Sequence, residues 1–258
     1  MTRVLAGALF ASWLGLGAPA LAQADAGASA PVARRDIHAR PIVVELYTAQ
    51  GCVTCDKAYP GFADLAARKG VIALTFPVDY WDYLGWKDTF ADPAYTLRQK
   101  AYARRLGPRD VYTPQVVVDG LGQAPGDDGA AIDRLLARAR RAERRGPRLT
   151  LRRDGRLHVG GGAPPAGGAE VLVLHVEATP APVQVKAGDN RGATVAYHDV
   201  VRDMTRLGVW RGAARDFTLP KSPASTPGLA TVILVQRARG GPVLAAREVP
   251  PRSPTKAS

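Results

Sequence analysis

Apolar positions in the first half of the chain switch between two periods. Ile42–Tyr47 is a nearly continuous apolar run, interrupted by Glu45, and reads as a buried strand. Val53–Lys69 changes to helical spacing, with Tyr59, Phe62, Leu65 and Ala66 forming one stripe. Val71–Val78 is a second strand and Pro93–Leu106 a second helix. Gln115–Asp119 is a third strand. Asp119-Gly120 is a tight-turn dipeptide that returns the chain through Leu121–Ala124 as a hairpin. Gly129–Arg145 is a third helix: Ile132, Leu135, Leu136 and Ala139 share one face and arginines occupy the others. Strand–helix–strand followed by helix and hairpin predicts an α/β sheet with helices on its faces, spanning residues 41–146.

The pattern changes after Gly146-Pro147. Strand-like segments dominate: Leu149–Arg153, Arg156–Val159, Glu170–Glu177, Val183–Lys186, Ala193–Trp210, Ala214–Leu219, Leu229–Arg237 and Val243–Val249. Asp154-Gly155 marks a tight turn between the first two, and Ala193–Trp210 is too long for one unbent strand. With no long helical stripe, residues 147–250 predict a small all-β, sandwich-like domain. This region contributes no cysteine, so it is expected to support the first domain or select a partner rather than to do chemistry. The Pro-rich tail, residues 251–258, reads as disordered.

The N-terminus reads as an export signal. Met1-Thr2-Arg3 is a short basic start, Val4–Leu21 is apolar, and Ala20-Leu21-Ala22 and Ala22-Gln23-Ala24 both fit small-x-small cleavage sites. Residues 1–24 are therefore expected to be a signal peptide and residues 25–40 a flexible mature N-terminus, giving a periplasmic or secreted protein. No later stretch is long and apolar enough to span a bilayer, and there is no lipobox cysteine, so no stable membrane anchor is expected after cleavage. The formal net charge is +12 over 258 residues. Much of it lies in the run Asp133–Arg145, where no aromatic residue interleaves with the arginines; that pattern fits a solvated helix face and excludes a nucleic-acid partner.

Candidate chemistry centres on Cys52-Val53-Thr54-Cys55, which holds the only two cysteines of the chain, where the first strand gives way to a helix. A helix N-terminus carries partial positive charge that stabilises a thiolate. Cys52 then acts as the attacking sulfur and Cys55 resolves the mixed disulfide. A structural bridge gains most when it closes a long loop, and this one closes a very short one, which favours redox chemistry or metal binding. Four histidines, His38, His158, His175 and His198, are scattered without metal-ligand spacing to the cysteines.

Several separated motifs carry a family resemblance. Val43-Val-Glu-Leu-Tyr-Thr-Ala-Gln-Gly-Cys-Val-Thr-Cys55, Val78-Asp-Tyr-Trp-Asp-Tyr-Leu-Gly-Trp-Lys-Asp88, Arg98-Gln-Lys-Ala-Tyr-Ala103, Val111-Tyr-Thr-Pro-Gln-Val-Val-Val-Asp-Gly120, Asn190-Arg-Gly192 and His198-Asp-Val-Val-Arg202 occur in order. Together they resemble the DUF1223 family, whose members are expected to be secreted and thioredoxin-like. One departure is Asp56, where family members often carry proline directly after the second cysteine. The resemblance implies a thioredoxin-like domain followed by the small all-β domain.

It also bears on three further residues. From the residues alone, Thr113-Pro114 is an ordinary trans proline opening an edge strand; the resemblance implies a cis bond, with Thr113 presenting backbone to an extended substrate and Pro114 facing the cysteines. Glu45, an acid in a buried strand, has two readings: a proton relay to the resolving thiol, or a carboxylate at the sheet edge or paired with a base such as Arg98 or Lys100. The aromatic loop, with Tyr80, Trp81, Tyr83 and Trp86 among Asp79, Asp82 and Asp88, is either a substrate rim or packing, with packing favoured for both tryptophans.

The combined expectation is an exported thiol–disulfide oxidoreductase acting on protein or small-molecule thiols and disulfides, with Cys52, Cys55, Thr113, Pro114 and Glu45 as site residues and no cofactor beyond the cysteine pair. The alternatives are a binding module with a structural disulfide and a Cu(I) or other metal carrier using both thiolates, which two methionines and no Cys/His cluster argue against.

Overall fold

The computed structural model describes residues 40–107, 110–143, 145–221 and 228–251. The expected signal peptide, all but the last residue of the expected flexible segment 25–40, and the tail from 252 onward lie outside the described residues.

Strand β1 (Ile42–Thr48) is buried along its whole length. A 3-10 turn (Cys55–Ala58) leads into α1 (Tyr59–Ala66), shorter than the helix the apolar stripe predicts. Pro60 explains the difference. It has no N–H to donate to Asp56 O, so α-helical bonding cannot extend back to Cys55; the Tyr59 N–H takes that carbonyl in 3-10 fashion instead. Next come β2 (Val71–Pro77), a short 3-10 turn (Asp82–Leu84) and α2 (Pro93–Leu106). Asp92 caps α2 by accepting from the Ala94 N–H, Pro93 opens it, and Gly107 at φ 90 ends it. β3 (Gln115–Val118) and β4 (Gly122–Pro125) form the expected hairpin, with Asp119 and Gly120 both at positive φ. α3 (Gly129–Arg141) buries Ile132, Leu136 and Ala139, as its spacing predicts.

The later strands are β5 (Leu149–Leu151), β6 (Leu157–Val159), β7 (Ala169–Glu177), β8 (Val183–Gln184), β9 (Thr194–Val195), β10 (Val200–Trp210), β11 (Arg215–Phe217), β12 (Ala230–Arg237) and β13 (Val243–Val249). The long segment predicted at 193–210 bends between β9 and β10, where Asp199 takes φ 51.

Four of the strands after Pro147, which the pattern assigns to a separate sandwich, instead complete one mixed eight-stranded sheet in the order β13-β12-β7-β10-β2-β1-β3-β4, while β11-β6-β5 and β8-β9 form small sheets of their own. β1 and β2 are parallel, while β3 runs antiparallel to β1. The seam is narrow. β10 meets β2 in parallel with Val200 opposite Thr75, and Thr75 donates through its N–H to Asp199 O (2.8 Å) and through its hydroxyl to His198 O (2.5 Å). β7 and β12 are buried on nearly every residue, as befits strands covered on both faces. One face carries α2. Its Tyr95 and Tyr102 join a single core with Tyr47, Phe76, Leu174, Leu234 and both cysteines. The opposite face is covered in two parts: α1 and α3 lie over Val44, Leu46 and Val116, and the three-stranded sheet β11-β6-β5 lies over Val171, Val173, Ile233 and Val235. The fold is thus a mixed α/β structure in which one hydrophobic core runs through both halves of the sequence.

Candidate functional site

Cys52 and Cys55 are joined by a disulfide with their Cα atoms 5.4 Å apart. They lie just beyond the C-terminal end of β1, where the Cys52 N–H donates to Ala49 O (3.1 Å) and the Cys55 N–H to Cys52 O (3.2 Å). The expected order of exposure holds only narrowly, since Cys52 is 2% exposed and Cys55 0%. Val53, at 56%, and Thr54 form the outer surface of the turn. Because Cys55 opens a 3-10 turn and Cys52 precedes it, the helix terminus near the sulfurs is weaker than the predicted long helix would supply.

Thr113-Pro114 is cis, as the resemblance implies. Pro114 lies beside the turn that Cys55 opens. A side-chain carbon on Gly126 would sit 2.8 Å from Pro114 Cβ and 3.1 Å from Ala58 Cβ, so only glycine fits there, and the Gly126 N–H donates to Pro114 O (2.9 Å). Trp81 links this segment to the turn that carries the disulfide. Its indole N–H donates to Thr113 Oγ1 (2.8 Å), and its Cβ is 3.5 Å from where a side chain on Gly51 would begin. Trp81 and Tyr80 are partly buried against the core that holds the cysteines. Burial pushes the Tyr80 phenol up to about 12. Tyr83 points out, 80% exposed.

Glu45 realises its pairing alternative. It is fully buried, and Arg98 donates to both of its oxygens, from Nε and one terminal nitrogen, each at 2.7 Å. Tyr47 and Tyr102 hydroxyls donate to the same carboxylate at 2.8 and 2.7 Å. Burial disfavours the charged guanidinium, but the Glu45 carboxylate outweighs this and holds the Arg98 pKa above its ordinary value. The guanidinium also lies over the Phe76 and Tyr102 rings. Lys100, the other candidate partner, faces solvent.

The carboxylate that lies against the disulfide turn is Asp88, one of the acids of the aromatic loop. It is 3% exposed. Its Oδ2 accepts from the Gln50 N–H (2.6 Å) and the Tyr197 hydroxyl (3.1 Å), and its Oδ1 accepts from the Phe90 N–H (2.9 Å). Burial pushes its carboxyl up to about 6, against these hydrogen bonds, which favour the charged form. Tyr197 packs edge-on against Tyr59, whose hydroxyl is 3.0 Å from Thr48 Oγ1; burial raises the Tyr59 phenol to about 12. Trp86 donates from Nε1 to Gln50 Oε1 (2.9 Å), so both loop tryptophans pack rather than stand free. The available signal was an acid between Trp86 and Phe90, two aromatics that carry it inward.

His158 pairs with Asp216 and His175 with Asp203, both away from the cysteines in sequence. Among the described residues no group of three or more His, Cys, Asp or Glu side chains is arranged to hold a metal ion, and no helix is long and apolar enough to cross a membrane.

A family model described as a protein of unknown function, DUF1223, matches residues 43–236. Among solved structures, the chain is similar to a crystal structure of a protein from Agrobacterium tumefaciens, with 30% identity and a TM-score of 0.64 over 84% of this chain and 96% of that one. It is also similar to HBP35 of Porphyromonas gingivalis, with 12% identity and a TM-score of 0.49 over 85% of this chain and 78% of that one. No curated protein matches.

Proposed function

We propose that this chain, which belongs to the DUF1223 family, is an exported thiol–disulfide oxidoreductase whose first half follows a thioredoxin-like plan. The observation that carries the reading is the disulfide between the only two cysteines, just beyond β1 and beside the segment bearing Pro114. The strand order β2-β1-β3-β4, with β1 and β2 parallel and the last two antiparallel to β1 and β3 in turn, supports that plan. Export rests on the signal-like sequence of residues 1–24.

In the reducing direction, the Cys52 thiolate attacks one sulfur of a substrate disulfide. That S–S bond breaks, and the departing sulfur takes a proton from water. Cys55, deprotonated, then attacks Cys52 Sγ and releases the second substrate thiolate. Two electrons pass from the cysteine pair to the substrate, and an external dithiol must reduce the pair for another turnover; the oxidising direction is the reverse. Cys52 is assigned the attack because it precedes the 3-10 turn that Cys55 opens and is the marginally more exposed of the two, at 2% against 0%. Thr113 and Pro114 flank the turn as the substrate-facing element. Glu45 is left out of the chemistry, since Arg98, Tyr47 and Tyr102 occupy its oxygens.

The test is reduction of a peptide disulfide by dithiothreitol. The native chain should accelerate it, Cys52→Ser should lose at least about 100-fold, and reduced Cys55→Ser, freed of dithiothreitol before mixing with the peptide disulfide, should trap a mixed disulfide on Cys52. No acceleration by the native chain, or full activity in Cys52→Ser, overturns the reading. The near-complete enclosure of both sulfurs favours a second reading, a binding module with a structural disulfide. Cysteine variants that bind a partner like the native chain, together with no exchange activity, would support it.

A further inference from the structure

We propose that Asn190 and Asp88 are positioning residues that clamp Gln50 and so hold the Cys52 turn closed, which makes the β8–β9 connection part of the redox site. The inference rests on the oxidoreductase reading but on different observations. Gln50 stands two residues before Cys52, is fully buried, and has each of its polar groups held. Its N–H donates to Asp88 Oδ2 (2.6 Å), and its carbonyl accepts from Asn190 Nδ2 (2.8 Å). Its side-chain oxygen accepts from Trp86 Nε1 (2.9 Å) and the Thr89 N–H (3.2 Å), and its Nε2 donates to Thr89 Oγ1 (2.8 Å).

The clamp is itself anchored. Tyr197 and the Phe90 N–H hold the Asp88 carboxylate, and the Asp88 N–H donates to Asp82 Oδ1 (3.0 Å). The loop carrying Asn190 approaches the aromatic loop closely: a side chain on Gly188, at φ 73, would meet Leu84 O at 3.0 Å. Beyond the clamp, the backbone of the turn makes two hydrogen bonds, Cys52 N–H to Ala49 O (3.1 Å) and Cys55 N–H to Cys52 O (3.2 Å), beside the disulfide itself and the packing of Trp81 on Gly51, and its outer residues Val53 and Thr54 face solvent. A thiolate must approach Cys52 Sγ along the S–S axis, and Cys52 is only 2% exposed, so the attack is expected to need movement of the turn. The Gln50 clamp therefore sets how readily the pair reacts, and Asn190 sets it from 140 positions away.

The experiment uses the full oxidised chain and dithiothreitol. The reagent thiolate attacks Cys52 Sγ, Cys55 leaves as a thiolate and takes a proton, and the reagent's second thiol closes on the first to release Cys52. Two electrons and two protons enter the protein. Asn190→Ala removes one hydrogen bond, and Asn190→Asp keeps the shape while replacing the donor. Both should open the disulfide about fivefold faster, and exchange of the Gln50 and Cys52 amides should accelerate by the same factor while β1 and β2 amides keep their protection. Asn190 is only partly buried, so these variants should fold. An unchanged opening rate in folded Asn190→Ala overturns the proposal whatever its melting temperature, since a merely structural residue would lower melting and leave the rate alone. Should neither variant fold, the native chain decides: a Gln50 amide exchanging as fast as those of Val53 and Thr54 overturns the clamp, and one protected at least about 100-fold more supports it. Reagent opening needs no substrate turnover, so a chain that turns over no peptide disulfide sinks the oxidoreductase reading and leaves this measurement standing.

Discussion

Glu45 and Asp88 are both buried carboxylates in the first half of the chain, and the structure compensates them in opposite ways. Glu45 sits in the middle of β1 against a guanidinium that reaches both of its oxygens, with two phenols completing the shell. Asp88 sits in a loop against neutral donors, the Gln50 and Phe90 amides and the Tyr197 hydroxyl. Neutral hydrogen bonds favour its charge but do not outweigh burial, and its carboxyl rises to about 6. Of the two environments, the ion pair belongs to the sheet core, while the neutral one belongs to the turn that carries the disulfide. The acid that the strand pattern singles out is thus the one held by an ion pair, and the acid beside the disulfide turn is the one whose carboxyl burial raises to about 6.

The comparison breaks most sharply at Arg98. Arg98→Met leaves the Glu45 carboxylate buried without its cation and should destabilise the protein by about 3–5 kcal/mol in urea unfolding. Adding Glu45→Leu should recover only part of that loss, because it removes the unpaired charge but leaves the buried Tyr47 and Tyr102 hydroxyls without their acceptor. A loss under about 1 kcal/mol in the single variant would show that the pair does not hold the core.

Asp88 sharpens the contrast through pH. Its folded pKa, about 6, lies above the ordinary 3.8, so between these values the folded state binds more protons than the unfolded one. Its contribution to stability is therefore fully present below about 4 and falls as pH rises through 6, by up to about 3 kcal/mol. The fall in unfolding free energy from pH 4 to pH 7 should be smaller by up to that amount in Asp88→Asn. Parallel slopes in the two proteins would place the Asp88 carboxylate in an environment as good as water.

The smallest effect marks the other end of the scale. Arg68 and Asp133 form an ion pair at 2.6 Å, but their side chains are 42% and 59% exposed. Asp133→Asn should change stability by less than about 0.5 kcal/mol, and less still in high salt. A loss approaching that of Arg98→Met would mean that exposure does not separate the two kinds of pair.

Much of the local structure was legible. The α2 boundaries and β13 fall where spacing and capping residues put them, because Asp92, Pro93 and Gly107 act within a turn of the helix they bound. The Asp119-Gly120 hairpin was legible for the same reason. The first helix was overread: its stripe is real, but Pro60 removes a hydrogen bond that periodicity does not register. The β-rich second half divides into strands as its pattern says, but four of them, β7, β10, β12 and β13, join the sheet of the first half instead of a separate one. Alternation and apolar runs report that a strand's faces are buried, not which strand lies beside it, and the bonds joining Thr75 to His198 and Asp199 leave no trace in either segment's pattern.

The sequence by itself determined the elements, the turn chemistry and the one possible intramolecular disulfide, because each depends on residues within a few positions of one another. Tertiary structure alone decided that both halves share one sheet and core, that Glu45 takes Arg98, and that Gln50 is gripped by Asp88 and Asn190 across 38 and 140 positions. The reason is physical. A buried polar group must find a partner, but donor and acceptor types recur throughout a chain, so the requirement is written in the sequence while the identity of the partner is set only when packing brings the two together.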